Sequence, residues 1–189
     1  MCGRYYIEIS DQDLSEIVKN VQTNLADSAG KIDYKLDGEI FPTDIVPVQT
    51  ADGVKLMKWG FSSPYDKRPI INARSETAES GKMFSRPMRE SRCLIPASGY
   101  FEWQGERGKK TKYKFHLPDQ PIFLAGCFRQ EKDLPVESFV ILTRDAVGDL
   151  LTIHHRMPVI IPRSLCGTWL HDTAAVMGDA VSDLVYEPA

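Results

Sequence analysis

Cys93-Leu94-Ile95-Pro96-Ala97-Ser98-Gly99-Tyr100-Phe101-Glu102-Trp103 is the stretch on which the fold turns. It is apolar and aromatic and reads as one strand, with Tyr100 and Glu102 on one face and Phe101 and Trp103 on the other. Around it the pattern repeats. Gly3–Ile7 has strand composition, and Ile45–Gln49 and Val54–Trp59 flank Asp52-Gly53, a hairpin signal. Further strands are predicted over 111–117, 122–128, 138–143 and 157–161. Helices are few. Ser10 and Asp13 form a capping box ahead of Leu14, Ile17, Val18 and Val21, which predicts an amphipathic helix over 11–22. Shorter helical turns are expected near 75–90, 146–152 and 163–170. Many non-local strands with few helices predict an α+β fold built on a curved, barrel-like, mainly antiparallel β-core with peripheral helices. The 189 residues, 42% of them hydrophobic, suit a single domain over 1–189. Residues 23–38 are polar and read as a mobile loop, and 172–189 read as a C-terminal tail. No internal repeat is present.

The four cysteines, Cys2, Cys93, Cys127 and Cys166, form no CxxC pair and have no zinc-finger spacing. Cys93 and Cys127 lie in apolar runs and read as buried free thiols. No apolar run approaches a membrane span, and the first residues lack the basic-then-apolar pattern of a signal peptide. These features suggest a reduced, cytoplasmic, soluble protein. The net charge of −3 hides an uneven distribution. Residues 55–114 hold 14 Lys or Arg against 6 Asp or Glu, whereas the other 129 residues hold 9 against 20. Lys82, Arg86, Arg89 and Arg92 form one basic run, and Arg107, Lys109, Lys110, Lys112 and Lys114 another. This asymmetry fits a phosphate-binding face on an acidic body. The second run, taken alone, is equally a solvated hairpin.

Chemistry concentrates in five places. The chain begins Met1-Cys2-Gly3-Arg4-Tyr5, and an initiator Met before a residue as small as Cys is a removable one. Its loss gives Cys2 a free α-amine beside its thiol, with ordinary pKa values of about 8 and about 8.5. Such a 1,2-aminothiol captures an aldehyde twice, as an imine and then as a five-membered thiazolidine. Alternatively, Cys2 is only a small residue after the start. In Asn72-Ala73-Arg74-Ser75, an extended backbone sets an amide and a guanidinium on one side, and Ser75 can cap a following helix. Asn72 then orients a reactive oxygen while Arg74 grips a phosphate, or the pair is an Asn turn with a structural Arg–Glu contact. Glu102, among three aromatics, is either desolvated towards its neutral, proton-carrying form or a strand-edge acid facing solvent. Thr152-Ile153-His154-His155-Arg156-Met157-Pro158 offers one acid–base histidine. Adjacent side chains diverge and no further ligands cluster, so no metal and no cofactor is expected. Trp59-Gly60-Phe61 sets two aromatics in the basic third, either to stack on unpaired bases or to fill the core.

In this order, Met1-Cys2-Gly3-Arg4-Tyr5, Trp59-Gly60-Phe61, Ile71-Asn72-Ala73-Arg74-Ser75-Glu76-Thr77, Arg92-Cys93-Leu94-Ile95-Pro96 through Glu102-Trp103, and His154-His155-Arg156-Met157-Pro158 resemble the SRAP family, the SOS-response-associated peptidase domain. The resemblance spans residues 2 to about 171. It implies one barrel-like domain that recognises abasic sites in single-stranded DNA by covalent attachment through the N-terminal Cys, with the peptidase label denoting removal of Met1. It implies Cys2 as the nucleophile and Asn72 as the group holding that end of the chain and the sugar. Glu102 is implied as the proton shuttle of imine formation, and His154 as the group assisting sugar-ring opening and reversal. Arg4 and Arg74 are implied phosphate contacts. Trp59, Phe61, Arg86 and Arg156 complete the expected DNA-facing set. A monomer with no membrane partner is expected. The chain departs from the family in having only ten residues between Phe61 and Asn72, which trims a DNA-facing loop, and in the strand Ala125-Gly126-Cys127-Phe128. Two rival functions remain: a thiol peptidase using Cys2, His154 and Glu102 on peptide substrates, and a non-covalent reader of modified bases.

Overall fold

The computed structural model describes residues 2–9, 12–24, 32–105, 108–172 and 174–189. Seventeen helices and strands carry the described fold. They are β1 (Tyr5–Ile7), α1 (Gln12–Asn24), β2 (Gly38–Ile40), β3 (Ile45–Thr50), β4 (Gly53–Trp59), β5 (Asn72–Arg74), α2 (Ser75–Ala78), α3 (Ser85–Glu90), β6 (Arg92–Ala97) and β7 (Gly99–Gln104), then β8 (Thr111–His116), β9 (Ile122–Arg129), β10 (Ser138–Asp145), β11 (Arg156–Pro158), β12 (Ile160–Ile161), α4 (Cys166–His171) and β13 (Val185–Pro188). Single 3-10 turns lie at Gly148–Thr152, Arg163–Leu165 and Ala174–Asp179.

Strands β4, β3, β6, β9 and β10 pair in that order and β10 returns to β4, so the main sheet closes on itself. Most pairings are antiparallel. The exceptions are β10 with β4 and with β5, which run parallel. A second, wholly antiparallel sheet has the order β13-β8-β7-β1-β2. The fold is therefore α+β with a ring-like β-core and few helices.

Alternation along the strands separates two apolar clusters. On β9, Leu124 and Phe128 enter one cluster, and Phe123, Ala125 and Cys127 the other. On β10, Phe139 and Ile141 oppose Val140 and Leu142 in the same way. Both strands are thus buried on both faces, which accounts for their unbroken apolar sequences. The first cluster holds Trp59, Tyr5, Tyr100 and Met57, and the second holds Trp169, Met88 and Phe61. On α1, Leu14, Val18 and Val21 are buried while Glu16, Lys19 and Thr23 face solvent, as the periodicity requires. Cys93 and Cys127 are buried free thiols.

Three differences from the sequence reading have physical causes. The stretch 93–103 is two strands, β6 and β7, because the chain passes from one sheet to the other at Ser98, whose N–H donates to the Tyr6 carbonyl at 2.9 Å. The segment 172–189 is not a plain tail, since β13 pairs with β8 from Val185↔His116 to Pro188↔Tyr113. The segment 157–161 is likewise split into β11 and β12, which pair with β10 and β9. Of the loop expected at 23–38, residues 23 and 24 end α1, 25–31 lie outside the described residues, and Gly38 opens β2. Ser10, on which the expected capping box depends, lies outside them as well.

Gly126 sits where β6 and β10 press on β9. A Cβ there would lie 2.6 Å from Ile95 Cδ1 and 2.7 Å from the Val140 carbonyl oxygen. Gly126→Ala is expected to cost about 1–3 kcal/mol of stability, the range for overpacking a filled core, as measured by urea denaturation.

Candidate active site at the chain start

The chain start is held by an amide. Asn72 opens β5, which runs parallel to β10 with Asn72 opposite Ile141. Its Nδ2 donates to the Cys2 carbonyl at 2.8 Å. The segment before it is fixed in turn by Trp59, whose Nε1 donates to the Ile71 carbonyl at 3.0 Å. Cys2 is fully buried, and its thiol lies 3.9 Å from the Arg4 carbonyl oxygen.

Glu102 projects from β7, where it pairs with Tyr113 of β8, and is 4% exposed. A carboxylate so buried acts strongly on its neighbours. Burial pushes the Cys2 thiol far above its ordinary pKa, and the Glu102 charge pushes it further. His154 feels the same carboxylate. Burial holds its imidazole below the usual value of 6.5, with Glu102 opposing that shift. The buried acid thus acts on both the thiol and the imidazole, so the three expected catalytic side chains lie within one electrostatic neighbourhood. Both shifts favour uncharged forms, a protonated thiol and a neutral imidazole.

The loop bearing His154 is fastened to the strand bearing Glu102. Gln104 Nε2 donates to the Thr152 carbonyl at 2.9 Å, and Tyr113 Oη donates to Gln104 Oε1 at 3.2 Å. His154 Nδ1 lies 2.9 Å from the Arg156 backbone nitrogen and 3.1 Å from the Arg156 carbonyl oxygen, so the backbone of Arg156 fixes the ring's orientation. The His154 and His155 rings stack with centroids 4.4 Å apart, so these adjacent side chains do not diverge as the sequence reading expected. Among the described residues no group of three or more His, Cys, Asp or Glu is arranged to hold a metal.

The expected DNA-facing residues divide. Arg74 is exposed, and among the described residues it makes no ion pair. The turn after it is a helix of only four residues that begins at Ser75 itself, with Arg74 in the cap position, so Ser75 does not act as the cap. Arg86 is exposed and paired to Glu90 four residues on. Arg4 is half-buried, its Nη1 donating to Glu39 at 3.1 Å. Three residues expected on the interface are internal. Trp59 and Phe61 are wholly buried, Trp59 stacked on Phe139 and Phe61 on Phe84, and neither offers a face to a base. Arg156 is 6% exposed and works as a strut. It donates to both oxygens of Glu76 at 2.8 and 2.9 Å, to Asp145 at 2.6 Å and to the Thr143 carbonyl at 2.6 Å. These contacts join α2 to β10 and β11, the elements that flank Asn72 and His154. Among the described residues the most exposed aromatic ring is Tyr65, 90% exposed, beside Lys67 and Arg68 in the loop closed by the Phe61↔Ile70 bridge. Its one sequence signal is its setting, Ser63-Pro64-Tyr65-Asp66-Lys67-Arg68, a polar turn with a single aromatic.

Comparison with known proteins agrees with this architecture. The family model described as SOS response associated peptidase (SRAP) matches residues 1–189. The abasic site processing protein YedK of Escherichia coli is 36% identical over 116 residues, covering 59% of this chain and 52% of that protein. The abasic site processing protein YMR114C of Saccharomyces cerevisiae is 27% identical over 192 residues, covering 85% of this chain and 52% of that protein. The chain thus spans about half the length of these two relatives. A crystal structure of a protein from Bacteroides thetaiotaomicron has the same fold, with a TM-score of 0.79 at 21% identity over 99% of this chain and 91% of that one.

The Arg156 strut has a pH signature. Hydrogen bonding from Arg156 holds the Glu76 carboxyl down at about 2, against an ordinary 4.5. A carboxyl depressed in the folded state contributes stability that is complete above about 4.5 and lost as pH falls towards about 2. Arg156→Ala is expected to remove that part of the acid-unfolding profile and to cost about 2–4 kcal/mol at neutral pH. Arg156→Lys, which lacks the two-pronged guanidinium, is expected to recover part of the loss. Urea denaturation across pH checks both.

Proposed function

The chain belongs to the SOS response associated peptidase family, and on that premise we propose that it captures abasic sites in single-stranded DNA through a covalent bond to Cys2. The observation that carries this reading is the Asn72–Cys2 hydrogen bond, which holds the start of the chain beside a buried acid and an imidazole. The relatives' names, abasic site processing proteins, supply the substrate class.

In the proposed chemistry a water first cleaves the Met1–Cys2 peptide bond, releasing methionine and leaving the Cys2 α-amine. The opened sugar at an abasic site presents an aldehyde. The amine adds to its carbonyl carbon, and loss of one water gives an imine. The thiol sulfur then adds to the same carbon, its proton passing to the nitrogen, and a thiazolidine closes. Glu102 takes and returns the protons of these steps. His154 assists opening of the sugar ring and reversal. While the Cys2 nitrogen is in a peptide bond it is no nucleophile, and burial favours the protonated form of the thiol beside it. Arg74 and Arg4 hold backbone phosphates, and Tyr65 offers a ring on which an unpaired base stacks.

Wild-type protein incubated with a single-stranded oligonucleotide bearing one abasic site is expected to give an adduct that survives denaturing gel electrophoresis. Cys2→Ala, or one extra residue ahead of Cys2 that is not removed, is expected to abolish it. Glu102→Ala and His154→Ala are expected to slow formation or reversal about a hundredfold or more, the contribution of a positioned acid–base group. A normal adduct yield from Cys2→Ala refutes the assignment.

A further inference from the structure

One cluster of charges shares Arg4 with the site and extends away from it. Glu39 lies on β2 and Lys112 on β8, with β1 and β7 between them in the sheet. Yet Lys112 Nζ donates to Glu39 Oε1 at 2.7 Å, and Arg4 Nη1 donates to the same oxygen at 3.1 Å. Aromatic rings form the floor. Arg4 lies over Phe41 at 4.1 Å and Trp103 at 5.2 Å, and Lys112 over Phe101 at 3.7 Å. Lys35 completes the surround, donating to the Glu39 carbonyl at 2.6 Å and to Asp44 at 3.2 Å. Burial pushes the Glu39 carboxyl up, but the hydrogen bonds from Lys112 and Arg4 outweigh it and hold the group below its ordinary range. Its charge is therefore kept at neutral pH.

Two cations converging on one oxygen of a singly charged, two-oxygen acid is also the arrangement that grips a phosphodiester. All three side chains remain reachable, with 30% of Arg4, 26% of Lys112 and 31% of Glu39 exposed. The guanidinium meets Glu39 through Nη1, the end that solvent reaches, while its Nε–H is buried. Arg4 is two residues from Cys2, and its carbonyl accepts the Phe101 N–H, next to Glu102, at 2.9 Å.

We propose that Glu39 is a resident competitor for a DNA backbone phosphate. It occupies the place between Arg4 and Lys112 when no DNA is bound, and a phosphate must displace it before a strand can settle beside Cys2. This rests on the reading that the chain binds single-stranded DNA, and it adds Lys112 to the binding set. The device keeps two cations in register on their aromatic floor while lowering affinity for any polyanion that cannot outbid one carboxylate. It selects against loose, non-specific loading.

The test uses the full chain and an intact single-stranded oligonucleotide without an abasic site, with binding followed by fluorescence anisotropy over a salt series. Glu39→Gln keeps the shape and removes the charge. It is expected to bind about two- to fivefold more tightly at moderate salt, the scale of one exposed ion pair released. Its log affinity is expected to fall more steeply with log salt, by up to about 0.7, the increment for one more neutralised single-strand phosphate. Lys112→Gln is expected to weaken binding and flatten the slope, and Glu39→Gln is expected to gain less in that background. Glu39→Gln that melts like the wild type yet binds no more tightly overturns the proposal. If Glu39→Gln fails to fold, Lys112→Gln decides, and wild-type affinity and slope in that variant overturn it. Adduct formation by the wild type on the abasic oligonucleotide is read alongside. Normal adducts with an indifferent Glu39→Gln refute the competitor alone, and absent adducts with a tighter Glu39→Gln refute the covalent reading alone. Failure of every form to bind DNA refutes both.

Discussion

A hydrogen bond of 2.8 Å from the Asn72 amide to the Cys2 carbonyl fixes where this chain starts, and the candidate site has its geometry because of it. A residue this near a chain end with no such tie would fray. Here the holding group sits on a three-residue strand clamped on one side by the long, doubly buried β10 and steadied by the Trp59 indole. The core clusters that bury β9 and β10 thereby transmit their rigidity to the chain start. Precision at the terminus is a consequence of packing several strands away.

Electrostatics gives the site its present character. Burial disfavours charge at Cys2 and His154, and the thiol and the imidazole respond by favouring their neutral forms. The cationic side chains stand outside that pair. Arg4, Lys112 and Arg74 lie where water reaches them, and two of the three are already engaged by Glu39. The proposed chemistry uses this division. Phosphates are gripped in solvent, where ion pairs exchange readily, while the carbonyl meets its nucleophile beside the buried Cys2 and Glu102.

Much of this was legible in the sequence because burial leaves periodic marks. The strands of the ring carry apolar residues on both faces, and α1 shows its inner stripe of Leu14, Val18 and Val21. Sheet identity left no such mark. The inward residues are Cys93, Ile95 and Ala97 in β6 but Tyr100 in β7, so the alternation changes phase at Ser98-Gly99, and a run apolar on both faces conceals the change. Strand β13 was illegible for the opposite reason, as all four of its residues are exposed and it is itself the edge strand of its sheet, laid against β8. At the site, the residue types and order marked Cys2, Asn72, Glu102 and His154, and the structure brings them into one region. The arginines were harder. Arg156 reads as a cation available for phosphate, but its partners Glu76 and Asp145 stand 80 and 11 positions away, so its engagement is tertiary. The burial of Trp59 and Phe61 is tertiary in the same sense.

The central claim is that the nitrogen and the sulfur of Cys2 both bond to one sugar carbon. Intact-mass measurement of the purified adduct, followed by peptide mapping, tests it most directly. The expected mass is that of the chain lacking Met1 plus the abasic oligonucleotide, less one water, with the link on the peptide that begins at Cys2 and stable without borohydride. An adduct that retains Met1, maps to a lysine, or persists only after borohydride reduction contradicts the claim.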